Sequence, residues 1–264
     1  MRSTVLLSLA TLFTAIAYGQ ALSTGDREIV SSARGRYYNL EAAGFQSLSC
    51  SVKFDFSTVP QLPSSNDDDA RKVIQQTDFI LTLEGKGPKI EHHFPANASE
   101  ANQRRAEQTI NLLAALLGGV FQTWPTKGFQ GPIPPFDSQI ASVSSTAGGY
   151  LFTLRVPGGP VLVSTDKNYL VTEITSIGGK IIERPTYAPS PDGMVFVGNS
   201  AVDDSEPNGR VAIKYELGTA VIDGLRVPTS ARLQVNENID VKFVLDGCSV
   251  KKATVVHVAP PPTP

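Results

Sequence analysis

Apolar residues between positions 97 and 124 recur at steps of three and four, which is the spacing of one helical face. This face carries Ala106, Ile110, Leu113, Leu117, Val120, Phe121 and Trp124, and Leu112 and Leu116 widen it. Asn97 or Ser99 supplies an N-cap, and Pro125 ends the segment. Because a helix with one long apolar face must bury it, residues 97–124 are predicted to form a central helix that lies against a concave apolar surface.

Most of the remaining chain alternates between apolar and polar residues, as strands do. In residues 45–56 one face carries Leu48, Cys50, Val52, Phe54 and Phe56. Residues 77–84 and 89–94 are predicted to form a hairpin, and short strands separated by turns follow from residue 140 onward. The proline-rich residues 185–193 and the acidic residues 202–209 are predicted to be loops.

Two further helices are predicted. The first is capped by Ser23 or Thr24, and its face continues through Tyr37, Leu40 and Ala43 to a stop at Gly44. The second covers residues 70–76, after a run of aspartates at 67–69 that indicates a solvated helix start rather than a calcium site. So few helices cannot cover both faces of about ten strands. The expected fold is therefore α+β, mostly β: a curved antiparallel sheet, or unclosed β-barrel, wrapped around or capped by two to three helices.

The N-terminus has the pattern of a signal peptide. Arg2 precedes an apolar run, and Ala17-Tyr18-Gly19 places small residues at the two positions that a signal peptidase reads. We expect cleavage near Gly19-Gln20, one domain over residues 20–259 and a proline-rich disordered tail at 260–264. The expected location is the periplasm or outside the cell. The alternative is that residues 1–19 remain as an N-terminal anchor.

Charge and composition narrow the range of partners. The formal charge is −2, which provides no broad basic surface for nucleic acid. No second apolar run is long enough to cross a membrane, so no integral membrane segment is expected in the mature chain. The 22 glycines and 19 prolines favour a turn-rich β protein.

The chain has two cysteines, Cys50 and Cys248. An even pair in an oxidising exported compartment suggests a disulfide, which here would tie the first strand to the last. The alternative is two buried free thiols.

No catalytic pattern is present. The three histidines form no zinc motif, and the adjacent His92 and His93 face opposite sides of a strand, which disfavours a shared metal. The possible carboxylate pairs are expected on a solvated outer face: Asp55, Asp78, Glu84 and Glu91. We therefore expect no enzyme, no cofactor and no metal.

The order of elements resembles a known family. Residues 47–56 match a strand of the form S-x-S-V-x-F-x-F, a helix is inserted in mid-chain, and residues 214–235 contain K-Y-E-L and V-I-D-G-L-R-V-P-T-S-A-R-L-Q-V. This arrangement is similar to the periplasmic lipoprotein-carrier superfamily, which includes the LolA/LolB-like outer-membrane lipoprotein-sorting proteins. The resemblance implies an unclosed β-barrel that is capped by helices and holds acyl chains. The proline loop at 125–136 and the acidic loop at 202–209 depart from the family pattern, and no lid-locking arginine is identified.

Two classes of function remain open. In the first, the hollow of the sheet binds an apolar ligand and carries it across the periplasm; the partners would be lipid or lipoprotein acyl chains, with an envelope protein as a further candidate. The expected lining is Ile110, Leu113, Leu117, Phe121, Trp124, Phe54, Phe56, Phe79 and Leu81. A bound chain is expected to shift the emission of Trp124 to the blue. In the second class, the protein is a non-catalytic envelope scaffold or interaction protein, and its own side chains fill the hollow.

Overall fold

A computed structural model describes residues 21–57, 67–176, 181–204, 210–236 and 239–253. The predicted signal peptide, its cleavage point and the proline-rich tail lie outside these residues. The helices are α1 (Thr24–Arg34), α2 (Asp68–Gln76) and α3 (Glu100–Gln122), followed by a π-helical turn (Pro125–Phe129) and a short 3₁₀ turn (Asp137–Gln139). The strands are β1 (Phe45–Asp55), β2 (Asp78–Glu84), β3 (Gly87–His93), β4 (Ile140–Ser145), β5 (Gly149–Leu154), β6 (Val161–Asp166), β7 (Val171–Ser176), β8 (Ile181–Ser190), β9 (Gly193–Asp203), β10 (Val211–Ile222), β11 (Leu225–Val235) and β12 (Ile239–Lys252).

All twelve strands belong to one antiparallel sheet in the order β3-β2-β1-β12-β11-β10-β9-β8-β7-β6-β5-β4. The sheet does not close, because β3 and β4 remain its two edges. The expected fold class is confirmed: the protein is α+β, mostly β, with one unclosed sheet and three helices. Almost every strand pairs with its neighbour in sequence, as short hairpin connections require. The consecutive strands that do not pair are β3 and β4, which α3 separates, and the pairing between distant strands joins β1 to β12.

The central helix is confirmed as α3. Ser99 is its N-cap, with a side chain that accepts a hydrogen bond from the Asn102 N–H at 3.3 Å. Seven of its residues are buried: Ala106, Thr109, Ile110, Leu113, Leu117, Val120 and Phe121. Leu112 was expected to widen the apolar face, but it lies on the solvent side and is 37% exposed. The buried stripe is thus narrower than the sequence suggested.

The first helix is shorter than predicted. It begins at the expected Ser23 cap but ends at Arg34, and residues 36–44 are irregular. Tyr37 and Leu40 are buried as expected, yet they reach the core from a loop; the Tyr38 N–H donates to the Met194 carbonyl at 3.0 Å, which fixes that loop against the β8–β9 turn. Ala43, predicted on the buried face, is exposed.

The proline-rich residues 185–193 were predicted to be a loop, but most of them belong to β8 and to the start of β9. Among the described residues, strand β8 pairs with β7 at Ile174↔Glu183 and Thr175↔Ile182. From Pro185 onward, its described pairing is with β9 alone. A proline lacks an N–H, so it is tolerated where a neighbouring strand diverges. Strand β9 extends to Asp203, and residues 205–209 of the predicted acidic loop lie outside the described range.

The concave face carries two hydrophobic clusters. The larger one lies between α3 and strands β1, β2 and β9–β12. The smaller one lies between α1 and strands β4–β7, and includes Val30 and Ala33 of α1. Tyr187 packs against both clusters and its ring lies 4.8 Å from that of Tyr37. The centre of the sheet therefore joins two separately covered halves.

Cys50 and Cys248 form a disulfide between the neighbouring strands β1 and β12. The predicted pairing is confirmed. It links positions that are 198 residues apart in sequence. Disulfides are typical of oxidising compartments. Within the described residues, no helix is both long enough and apolar enough to cross a membrane.

Candidate functional site: the concave face beneath α3

All nine residues predicted to line the hollow meet in the larger cluster. Ile110, Leu113, Leu117 and Phe121 of α3 are fully buried, and Trp124 just beyond the helix is 2% exposed. Opposite them, Phe79 and Leu81 of β2 are also buried. The nine residues therefore belong to one packed core, in which α3 itself fills the space against the sheet. Trp124 is already shielded from water, so the direction of its emission shift on ligand binding no longer follows from burial.

Phe54 and Phe56 lie at the less covered end of this face. Both are half-buried, whereas the other predicted lining residues are buried. The Phe54 ring lies 5.0 Å from that of Phe79 and 5.8 Å from that of Phe243, in tilted or edge-on contacts. Such pairs are favourable for aromatic rings. This end of the concave face thus presents an aromatic group that is partly open to solvent.

The C-terminal part of α3 approaches the edge strand β3 closely. A Cβ placed on Gly118 would lie 3.3 Å from the Ile90 Cδ1, whereas one on Gly119 would meet open space. The absence of a side chain at Gly118 therefore allows the helix and β3 to come together.

An aromatic group fixes the C-terminal end of α3. The Trp124 ring lies 5.5 Å from that of Phe45 and 5.9 Å from that of Phe129. Two glycines make room for these rings: a Cβ on Gly128 would lie 2.6 Å from the Trp124 Nε1, and one on Gly85 would lie 2.8 Å from the Phe129 Cε1. The π-helical turn consequently packs on both the helix end and the β2–β3 turn.

A polar cluster lies beside this aromatic group, inside the protein. We use the name polar cluster for Thr123, Lys127, Glu183, Asn199 and Tyr215. Lys127, on the π-helical turn, forms an ion pair with Glu183 of β8, and the Asn199 Nδ2 donates to the same carboxylate oxygen at 2.7 Å. The Thr123 hydroxyl and the Tyr215 hydroxyl are hydrogen-bonded at 2.6 Å. The cluster therefore ties the residues after α3 to three central strands.

Burial controls the chemistry of the tyrosines around this cluster. It raises the pKa of Tyr187 and of Tyr215 well above the ordinary value, because the phenolate would lose its hydration. Burial also raises the pKa of Tyr37, whose hydroxyl accepts from the Val171 N–H at 2.7 Å and donates to the Tyr169 carbonyl at 2.7 Å. The Tyr187 hydroxyl has no hydrogen-bond partner among the described residues. All three tyrosines are thus neutral, structural groups near pH 7.

The N-terminal end of α3 is held differently. Arg105 donates to the Asp67 carboxylate at 2.6 Å, and this pair is partly exposed. Asp67 also caps α2, accepting from the Asp69 and Ala70 N–H groups at 3.1 and 3.0 Å. This end of the helix therefore depends on exposed polar contacts with α2, unlike the buried contacts at the other end.

The described residues contain no group of three or more His, Cys, Asp or Glu side chains placed to hold a metal ion. The carboxylates considered for catalysis are exposed, as predicted: Asp55, Asp78, Glu84 and Glu91. The polar cluster could not be predicted from the sequence, because Lys127 is 56 residues from Glu183 and no local pattern connects them.

No family model, curated protein or solved structure matches the chain. The fold and the site define a class of architecture: an unclosed antiparallel sheet whose apolar face is covered in one half mainly by α3 and in the other half by α1.

Proposed function

We propose that the chain is an exported, non-catalytic protein that binds acyl chains of a lipid or lipoprotein against the concave face of its sheet and carries them across the periplasm. The observation that supports this proposal is the nature of the cover. In the larger cluster, the amphipathic helix α3 lies over the apolar face of an open sheet and is held at its two ends by unlike contacts. In this proposal α3 moves aside when a ligand enters.

Two features of the sequence support the same proposal. The strand motif at 47–56 and the run at 214–235 resemble lipoprotein carriers, and the N-terminus has the pattern of a signal peptide. The disulfide fits an oxidising compartment outside the cytoplasm. Each of them agrees with a protein that works in the cell envelope.

The contacts of α3 indicate how it would move. Its C-terminal end is tied by the polar cluster and by the packing of Trp124, all inside the protein. Its N-terminal end has the partly exposed Arg105–Asp67 pair, and exposed ion pairs are typically weak. The N-terminal half of α3 would therefore leave first, pivoting on the polar cluster and opening the face near Phe54 and Phe79.

The free energy needed to move α3 away from the sheet indicates which ligands could bind. Moving Ile110, Leu113, Leu117 and Phe121 from full burial to water costs on the order of 6–12 kcal/mol. One acyl chain of about fifteen methylenes recovers roughly 12 kcal/mol when buried. A single chain would then offset this cost without margin at the upper end of the range, whereas a diacyl or triacyl molecule would exceed the whole range. We therefore propose ligands with two or more acyl chains rather than free fatty acids.

The second candidate function is an envelope scaffold or interaction protein. The full burial of the inner face of α3 favours it, since the hollow is filled by the chain itself. In this case α3 is a permanent part of the core, and no apolar ligand is needed for stability.

Extraction of the protein with organic solvent, followed by mass spectrometry, distinguishes the two candidates. The protein is produced with its signal peptide, purified without detergent and compared with an unrelated exported protein purified in parallel. The carrier proposal predicts a diacyl or triacyl lipid at a stoichiometric amount in this protein alone. Equal trace lipid in both samples, together with no change in Trp124 emission on titration with a diacyl phospholipid, would support the scaffold candidate instead.

A further inference from the structure

The two edges of the sheet differ in how they are protected. Strand β3 carries Pro88, Lys89 and Glu91, and α3 packs against it at Ile90. Proline, charge and a covering helix are the devices that prevent a sheet edge from pairing with another chain. Strand β4, with the sequence Ile-Ala-Ser-Val-Ser-Ser, has neither a charged residue nor a proline. Within the described part of the chain, β4 pairs only with β5.

The hydrogen bonds of the β4–β5 turn show which backbone groups face outward. The Thr146 N–H donates to the Gly149 carbonyl at 2.8 Å, and the Gly149 N–H donates back at 3.4 Å. In an antiparallel pair, hydrogen-bonded and non-hydrogen-bonded positions alternate. Ser144 therefore bonds toward β5, and the N–H and C=O groups of Val143 and Ser145 point away from it.

The start of β4 marks where outward pairing would end. The Arg155 Nη1 donates to the Ile140 carbonyl at 2.8 Å and to the Ser138 carbonyl at 2.9 Å, so these acceptors are already used. A register shift separates Ile140 from Ser142. The outward groups that remain for a partner are consequently those of Val143 and Ser145, a stretch suited to a short segment.

A pocket of about 130 Å³ lies next to the start of β4. Its apolar lining comes from Pro132, Pro134, Leu154 and Val156, and Gln139 forms part of its rim. The neighbouring Phe136, whose N–H donates to the Gln139 Oε1 at 3.3 Å, is 66% exposed. An apolar side chain of a strand that runs along β4 would reach this pocket as the strand passes Ile140.

We propose that the β4 edge binds an extended, uncharged segment of another polypeptide by adding it to the sheet as a further strand. Backbone bonds to Val143 and Ser145 supply affinity, and one bulky apolar side chain in the pocket supplies specificity. The segment has apolar residues at alternate positions, because Val143 packs inward against the smaller cluster while Ser142 and Ser144 face solvent. This surface is at the opposite edge of the sheet from β3, so the inference is independent of acyl-chain binding.

The small size of the β4 edge favours a peptide segment as the partner, rather than a second folded copy of the chain. A stable interface between folded partners buries about 1,200 Å² or more in total. Four outward backbone groups and one small pocket fall well short of that area. A flexible segment needs less buried area, because strand addition directs its backbone hydrogen bonds to one short edge.

The test uses a fluorescein-labelled synthetic peptide, Gly-Tyr-Leu-Phe-Thr-Leu, which copies β5, the strand that β4 already accepts on its other side. We expect saturable binding to the full chain in fluorescence anisotropy. Val143→Pro removes an outward N–H together with the partly buried valine side chain, and should weaken binding at least tenfold. Val143→Thr keeps that N–H and the branched shape, so it should bind as the unaltered protein does. Thermal melts of both variants establish that they are folded.

A second comparison changes only the peptide, so it does not depend on how the variants fold. One peptide is N-methylated at the tyrosine and phenylalanine amides, and the other at the first leucine and the threonine. Because alternate amides of a strand face opposite ways, strand addition predicts that one peptide loses binding and the other keeps it. Equal affinities for the two peptides, or no saturable binding of the unmethylated one, would overturn the proposal. A dimer in light scattering that Val143→Pro converts to a monomer would overturn the choice of occupant.

Discussion

Lys127 and Glu183 form an ion pair in the interior, 56 residues apart in sequence, with the lysine side chain 4% exposed and the glutamate side chain 20% exposed. The pair joins the turn that follows α3 to the centre of the sheet. Because the two side chains differ in exposure, removing Glu183 and removing Lys127 should lower the free energy of unfolding by different amounts. A buried lysine that loses its carboxylate has no access to water, whereas the glutamate has some.

Glu183→Met should therefore destabilise the protein more than Lys127→Met. Breaking a buried pair from one side costs about 3–5 kcal/mol, and replacing both partners with apolar residues is often close to neutral. We expect the single variants to lower the denaturant midpoint and the double variant Lys127→Met/Glu183→Met to recover much of the loss. Urea unfolding of the four proteins measures this. Additive losses in the double variant would show that the two side chains act separately.

Acid should loosen the N-terminal end of α3 through Asp67. The Ala70 N–H, and then Arg105, hold the pKa of this carboxyl below its ordinary value. A lowered folded-state pKa gives stability that is complete above the unfolded pKa, near 3.9, and is lost as the pH falls through the folded value. Asp67→Asn keeps a good cap without the charge. Its melting temperature should fall less steeply than that of the unaltered protein below about pH 4. Parallel curves for the two proteins would contradict this role of Asp67.

Two buried tyrosines should respond oppositely to loss of the hydroxyl. Tyr37→Phe leaves the Val171 N–H without its bond and should cost on the order of 1–3 kcal/mol. Tyr187→Phe removes a hydroxyl that has no partner among the described residues, so its stability at pH 7 should be unchanged or slightly higher.

The role of Tyr187 can also be tested through the pH dependence of unfolding. The raised pKa of Tyr187 stabilises the fold fully below the unfolded pKa, about 10, and this stability is lost as the pH rises through the folded value. Tyr187→Phe should therefore unfold at a higher pH than the unaltered protein, as followed by circular dichroism. An unchanged alkaline midpoint would show that Tyr187 is not the group that titrates.

The disulfide should contribute stability mainly by restricting the unfolded chain. With 198 residues between the cysteines, the chain-entropy model gives about 5 kcal/mol, although strain commonly reduces it. Reductant should lower the urea midpoint of the unaltered protein and leave that of Cys50→Ala/Cys248→Ala unchanged. Peptide mapping without reduction should recover the two cysteines as one cross-linked pair. Alkylation of both thiols in unreduced, natively exported protein would disprove the bond.

Sequence patterns correctly predicted the elements whose buried residues follow a short, regular repeat. The stripe of α3 repeats every three or four residues, so Ile110, Leu113 and Leu117 were assigned correctly to one buried face. The same rule failed after Arg34, where Tyr37 and Leu40 happen to continue a helical spacing although they are buried from a loop. Spacing alone does not reveal which segment will cover a residue.

Features that depend on distant partners could not be predicted. Pro185 indicated a loop, but its printed pairing in the folded sheet is with β9, so a strand without that N–H is tolerated. Lys127 looked like an ordinary loop lysine, and its burial follows from strands that come together only in the folded sheet. The nine predicted lining residues do meet, but their pattern could not tell that α3 would fill the space between them.

The most direct test of the central claim ties the N-terminal half of α3, which is proposed to leave first, to α2, whose Val73 and Ile74 are buried in the larger cluster. In Asp67→Cys/Arg105→Cys the two new thiols replace side chains that form an ion pair at 2.6 Å, and a short thiol-specific cross-linker would join them. The two single-cysteine variants, treated identically, are the matched controls, and binding of a fluorescent diacyl phospholipid is measured for all three. If α3 must move to admit the chains, the cross-linked protein should lose binding by at least tenfold and the controls should keep it. Equal binding with and without the cross-link would contradict a movable cover, and no binding in any of the three would contradict the carrier itself.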